Sequence, residues 1–170
     1  MERKRAMADN IPDKERLDVR RRHETANIFS RLPATYAASR MQGQRLLKIG
    51  GLSIVEWRIL WDVLEAGPIT IRDLAELQRA DHSQISRVLP KMSAAGWIEL
   101  QRDKNDGRQT LISLTKEGVA AYERAAPIMA KRRAAFRKYF TEDEIKLWLD
   151  LLDRFDVFCQ LSVEDILDTE

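Results

Sequence analysis

The sequence predicts a mainly α-helical fold with one small β-hairpin, and three observations carry that reading. Apolar residues recur at helical spacings along most of the chain. Capping-box spacings punctuate it at Ser53 and Glu56, Thr70 and Asp73, Asp81 and Gln84, and Thr141 and Glu144, where a side chain three residues on can close the first turn of a helix. One stretch breaks the pattern: "ELQRDKNDGRQTLISLT", Glu99 to Thr115, alternates apolar and polar residues on either side of an Asp-Gly turn.

At 170 residues with 44% hydrophobic content, the chain can bury one core, as a single domain or as two small ones sharing it. No run of about 18 uncharged apolar residues occurs, and no apolar signal segment follows Arg3, Lys4 and Arg5. A cytoplasmic protein without a membrane partner is expected. Cys159 is the single cysteine, and with only His23 and His82 beside it no metal-ligand spacing exists, so neither a metal nor a cofactor is expected. The net charge of +2 is unevenly spread: residues 141–170 carry a net −8, which leaves +10 on the first 140. A basic body suggests an anionic partner, although charge runs also occur as plain solvated faces.

Residues 1–24 read as an N-terminal arm or an extra helix begun after Pro12. Residues 25–50 read as a helix through Ile28, Leu32, Tyr36, Met41, Leu46 and Leu47; Pro33 marks a kink or fresh start, and Gly50-Gly51 ends it. A second helix starts at Ser53 and buries Val55, Ile59, Leu60, Val63 and Leu64 before Gly67-Pro68 stops it. Thr70 opens a short third helix through Leu74, Ala75 and Leu77, and Asp81 a fourth. After the hairpin, Thr115 begins a long helix to about Lys138, with a possible bend at Pro127, and Thr141 caps the last one.

The fourth of these helices places Ile85, Val88, Leu89 and Met92 on one face. At about 100° per residue, Ser83, Ser86, Arg87 and Pro90 fall opposite, with Gln84 and Lys91 at one flank. Gln and Arg can each make paired hydrogen bonds to a base edge, Ser reaches either, and Lys favours phosphate. A short helix crossing such a helix through a tight turn is the arrangement that enters the DNA major groove. The hairpin that follows then serves as a wing along the duplex, carrying Arg102, Lys104 and Arg108, with Arg108 at the tip suited to the minor groove. Asp106 favours the turn for conformational reasons and also braces Arg108. Pro90 cannot donate to the Ser86 carbonyl, so a bend or loosened turn is expected beside Lys91.

"GLSIVEWRILWDVLEAGPITIRDLAE", "SQISRVLPKMSAAGWIEL" and "DGRQTLISLTKEG" together resemble the MarR-type (multiple antibiotic resistance regulator) winged helix-turn-helix transcription factors of bacteria. The resemblance spans about residues 30 to 158. It implies a repressor, or less often an activator, whose residues 51–115 form the DNA-binding region, with residues 25–50 and 116–170 as dimerisation helices. It further implies a homodimer on a pseudo-palindromic double-stranded operator, with Ser83 to Lys91 as the reading helix and Asp106 and Arg108 as the wing pair. Regulators of this kind often bind a small aromatic or phenolic effector between the dimerisation helices and the winged helix. Tyr36, Trp57 and Trp61 are the candidates to line such a pocket, although aromatics at helical spacing are more often ordinary core.

The last helix has one stripe of Ile145, Trp148, Leu149, Leu152, Phe155 and Cys159 and a second of Leu147, Leu151 and Phe158, which requires burial on more than one face. A second subunit supplies that surface. Cys159 is expected as a buried structural thiol because no cationic cluster surrounds it, and His82 fits either a DNA contact or packing on the preceding helix. No nucleophile, base and charge-stabilising set is evident, so an enzyme is not expected. The rival reading is a winged helix used for protein contacts alone.

Overall fold

The computed structural model describes residues 14–102 and 109–168. In chain order these form α1 (Lys14–Ala26), α2 (Ile28–Ile49), α3 (Ile54–Ala66), β1 (Ile69–Thr70), α4 (Ile71–Gln78), α5 (His82–Ala94), β2 (Ile98–Arg102), β3 (Thr110–Leu114), α6 (Lys116–Phe136), α7 (Glu142–Phe158) and α8 (Val163–Leu167). The mainly helical reading holds. The expected Lys104, Asp106 and Arg108 of the wing lie outside the described residues.

The caps largely form as the spacings predict. Ser53 and Glu56 close a reciprocal capping box, as do Thr141 and Glu144. Two others are one-sided: Thr70 accepts from Asp73 N at 3.0 Å without a return bond to its own backbone, and the Asp81 side chain accepts from Ser83 N, whereas Gln84 N donates to the Asp81 carbonyl. The fresh start expected at Pro33 falls instead at Asn27, whose side chain accepts from Phe29 N at 2.9 Å and separates α1 from α2. Pro33, Pro90 and Pro127 all lie inside helices that continue past them.

The hairpin register pairs Ile98 with Leu114 and Leu100 with Ile112, which sets apolar residues opposite one another. β1 adds a third antiparallel strand against β3, giving the order β1-β3-β2. Two residues are too few to show an alternation, so β1 exists only through this pairing.

The core gathers Leu47, Trp57, Ile59, Leu60, Leu74, Ile85, Leu89, Met92, Ile98, Ile112 and Ala121, all buried. At one wing base, Thr115 accepts from Gly118 N, donates to the Gly96 carbonyl at 2.5 Å, and its own N–H reaches the Trp97 carbonyl. Thus the start of α6 is tied to the turn that launches β2.

The terminal helices differ. No residue of α7 is buried, and Leu147, Leu149, Leu151 and Phe158 stay exposed along it. Cys159, expected as a buried thiol, caps α7 and is exposed. Phe29 of α2 meets Phe155 and Phe158 near this end of α7, and these contacts leave Cys159 uncovered.

Candidate nucleic-acid interface

α4 and α5 are joined through Arg79, Ala80 and Asp81. Arg79 ends α4 in the left-handed region, φ 46°, a conformation a side chain adopts at some cost. Asp81 then caps α5, accepting from Ser83 N at 2.8 Å; that bond holds its carboxyl below the ordinary carboxylate value. Ile85, Leu89 and Met92 anchor one face of α5 in the core, with Val88 packed against it.

The opposite face is open to solvent. His82, Gln84, Arg87, Pro90 and Lys91 are exposed, and Ser83 and Ser86 are half-buried. His82 therefore does not pack beneath the preceding helix. Ser86 Oγ donates to the Ser83 carbonyl at 3.2 Å, which leaves its lone pairs for an outside donor. Arg102 stands exposed at the end of β2. Lys91 has a protein partner: its ammonium donates to Glu56 Oε1 at 2.7 Å.

Glu56 is 2% exposed. Burial pushes its carboxyl up, but hydrogen bonds from Lys91, the Ser53 backbone and the Ser53 side chain, with the Lys91 charge, outweigh this and leave it below 4.5. The box at Ser53 is legible in the sequence; the partner 35 residues away is not.

A groove of about 380 Å³ lies between α2, the start of α3 and the α4–α5 turn. Of the three residues expected at an effector pocket, Tyr36 lines this groove and Trp57 and Trp61 do not. Trp57 is core, stacked on Tyr122 at 4.7 Å, and Trp61 donates to Glu65 Oε1 on the outer side of α3. The groove's charge comes from four residues that no motif singled out: Arg40, Arg58, Arg79 and Arg132. Arg132 is held by Gln42 and Ser39, Arg58 reaches the Gln78 carbonyl, and Arg79 pairs with Asp156 of α7. Arg40 has no hydrogen bond or ion pair among the described residues. These arginines come from separate segments, so no spacing in the sequence links them. Asp81, the cap of α5, and Gln84 within it line the same groove.

A helix-turn-helix followed by a β-hairpin wing is the architecture of the winged helix-turn-helix DNA-binding regulators. The MarR family profile matches residues 52–110. An HTH-type transcriptional regulator of Bacillus anthracis is 30% identical over 128 residues, 75% of this chain and 85% of that protein. The homoprotocatechuate degradative operon repressor of Escherichia coli is 28% identical over 121 residues, 71% of this chain and 82% of the repressor. Among solved structures, a mutant of E. coli MarR complexed with operator DNA superposes with a TM-score of 0.65 at 23% identity, covering 76% of this chain and 98% of that one. The chain belongs to the MarR family.

Proposed function

We propose that the protein is a homodimeric repressor that reads a pseudo-palindromic operator in the cytoplasm and is released by a small anionic aromatic effector. One observation carries the DNA-reading part: α5 is pinned to the core by Ile85, Leu89 and Met92 while Gln84 and Arg87 project from its far side. Ser83, Gln84, Ser86 and Arg87 read base edges, and the wing, with Arg102, Lys104 and Arg108 braced by Asp106, follows the adjacent backbone and minor groove. Its action is binding, not catalysis.

The apolar residues that α2 and α7 leave exposed, Phe29, Leu147 and Leu151 among them, support a second copy as the missing cover. Two reading heads then address two half-sites about one helical turn apart. The effector reading rests on the groove, where Tyr36 offers a ring and Arg40 a guanidinium that no described residue pairs with, for a carboxylate. Because the groove reaches Asp81 and Gln84, a ligand there can favour a placement of α5 that does not match the duplex, and only such a preference lowers DNA affinity.

Fluorescence anisotropy of the full chain against duplexes selected from a random pool tests this reading. Tight, competitor-resistant binding of two subunits per duplex supports it. Weak binding erased by salt, with no sequence enriched, overturns it and leaves a winged helix used for protein contacts.

A further inference from the structure

Ser83, Arg87 and Lys91 succeed one another at four-residue intervals and so form one row along α5. Both ends of that row are fixed. At the Ser83 end, the backbone N–H donates to Asp81. At the other end, Lys91 Nζ donates to Glu56 Oε1 at 2.7 Å, while Glu56 Oε2 accepts from Ser53 N at 2.7 Å and Glu56 N donates to Ser53 Oγ at 3.2 Å. The carboxylate is buried, its side chain 3% exposed, whereas the lysine side chain is 74% exposed. A buried charge needs a committed partner, so the pair binds the last turn of α5 to the first turn of α3. Pro90 sharpens the need for that hold, because it supplies no N–H to the Ser86 carbonyl and leaves this turn of α5 one bond short.

We propose that Glu56 is a positioning residue for operator recognition: through Lys91 it fixes the rotation of α5, and with it the aim of Arg87. Lys91 is spent on this tie and not on a DNA phosphate. The proposal rests on the reading of α5 as the helix in the major groove. It adds a residue that lies off the DNA-facing surface yet sets sequence discrimination.

The test uses the full chain and a duplex that the wild type selects from a random pool, with random duplex as the reference. Lys91→Met and Glu56→Gln should each weaken the selected duplex about tenfold, which is about 1.4 kcal/mol, while affinity for random duplex and the salt slope stay as in the wild type. The double variant should be no weaker than either single one, since both break the same tie. Lys91→Arg, which keeps the pair, should restore wild-type discrimination. If Lys91 instead holds phosphate, Lys91→Met weakens both duplexes and lowers the salt slope by about 0.9. Glu56→Gln then tightens binding by freeing the ammonium. Either result overturns the proposal, as does wild-type discrimination in Lys91→Met. Thermal melts accompany each variant; should Glu56→Gln fail to fold, Lys91→Met, altered at an exposed side chain, decides alone. Failure of the wild type to select any sequence removes the reading of α5 itself, and the proposal with it.

Discussion

Arg79, in the left-handed turn between α4 and α5, is ion-paired with Asp156 of α7, 77 residues further along the chain. The bond lowers the Asp156 carboxyl and raises the Arg79 guanidinium. It links the turn that leads into α5 to a terminal helix with no buried residue of its own. Arg79→Ala and Arg79→Gly both lose Asp156, but glycine also removes the cost of a positive φ. The glycine variant should therefore melt at a higher temperature than the alanine variant. Equal melting temperatures would mean that the left-handed turn carries no strain.

Arg87→Ala and Arg102→Ala should separate reading from attraction. Arg87→Ala is expected to cost about 1–3 kcal/mol at the base pair it contacts and to relax preference there. Arg102→Ala should weaken all duplexes alike and reduce the salt slope by about 0.9, the share of one phosphate contact. Titrations at several salt concentrations on selected and random duplexes distinguish the two.

Gly118 is required by space. A Cβ there would stand 2.0 Å from the Trp97 carbonyl oxygen, which is backbone and cannot rotate away. Gly118→Ala must push α6 off the turn that launches β2, and a loss of about 1–3 kcal/mol or more is expected from such overpacking. Urea denaturation measures it. A wild-type midpoint would show that the helix start moves freely.

Arg40 lines the groove and makes no hydrogen bond or ion pair among the described residues. Arg40→Ala should leave operator affinity unchanged while weakening the response to aromatic carboxylates, read by anisotropy with 4-hydroxyphenylacetate and benzoate as probes. Loss of operator affinity in the variant would place Arg40 in DNA binding instead.

Acid should expose the Glu56 tie. Its folded carboxyl titrates below the ordinary 4.5, so the unfolded chain binds the extra proton in this window. The stability it contributes is therefore complete above about pH 4.5 and is lost as pH falls through the folded value. The stability gap between wild type and Glu56→Gln should narrow as denaturation is repeated from pH 7 down to about pH 3. A constant gap would mean that the carboxylate charge plays no part. Asp62 works the other way: burial, with the nearby Glu65 charge, raises it against the hydrogen bond from Gln78 and the charge of Arg58, so its ionisation with rising pH weakens the fold.

Much of this architecture is local and was therefore legible in the chain. The boxes at Ser53 and Thr141 depend on residues three apart, and the stripe of Ile85, Leu89 and Met92 on one helical period. The pairing of Leu100 with Ile112 follows from alternation across a short turn. The outward face of α5, with Gln84 and Arg87, came from the same periodicity.

What spacing cannot express is which distant residues meet. β1 exists because β3 lies beside it, and Trp57 is core because Tyr122 of α6 stacks on its ring. Cys159 is exposed although its stripe resembles a buried one, because the contacts α7 makes among the described residues, Phe29 on Phe155 and Phe158 and Phe136 and Phe140 on Trp148, leave it uncovered. Arg40, Arg58, Arg79 and Arg132 become one cationic groove only when α2, α3, α6 and the α4–α5 turn are brought together. The sequence alone determined the helices, the wing strands and the polar outward face of α5, since each depends on contacts within a few residues. Tertiary structure decided the groove, the Glu56–Lys91 tie and the Arg79–Asp156 link, because each is a contact between segments whose separation along the chain carries no information about their distance in space.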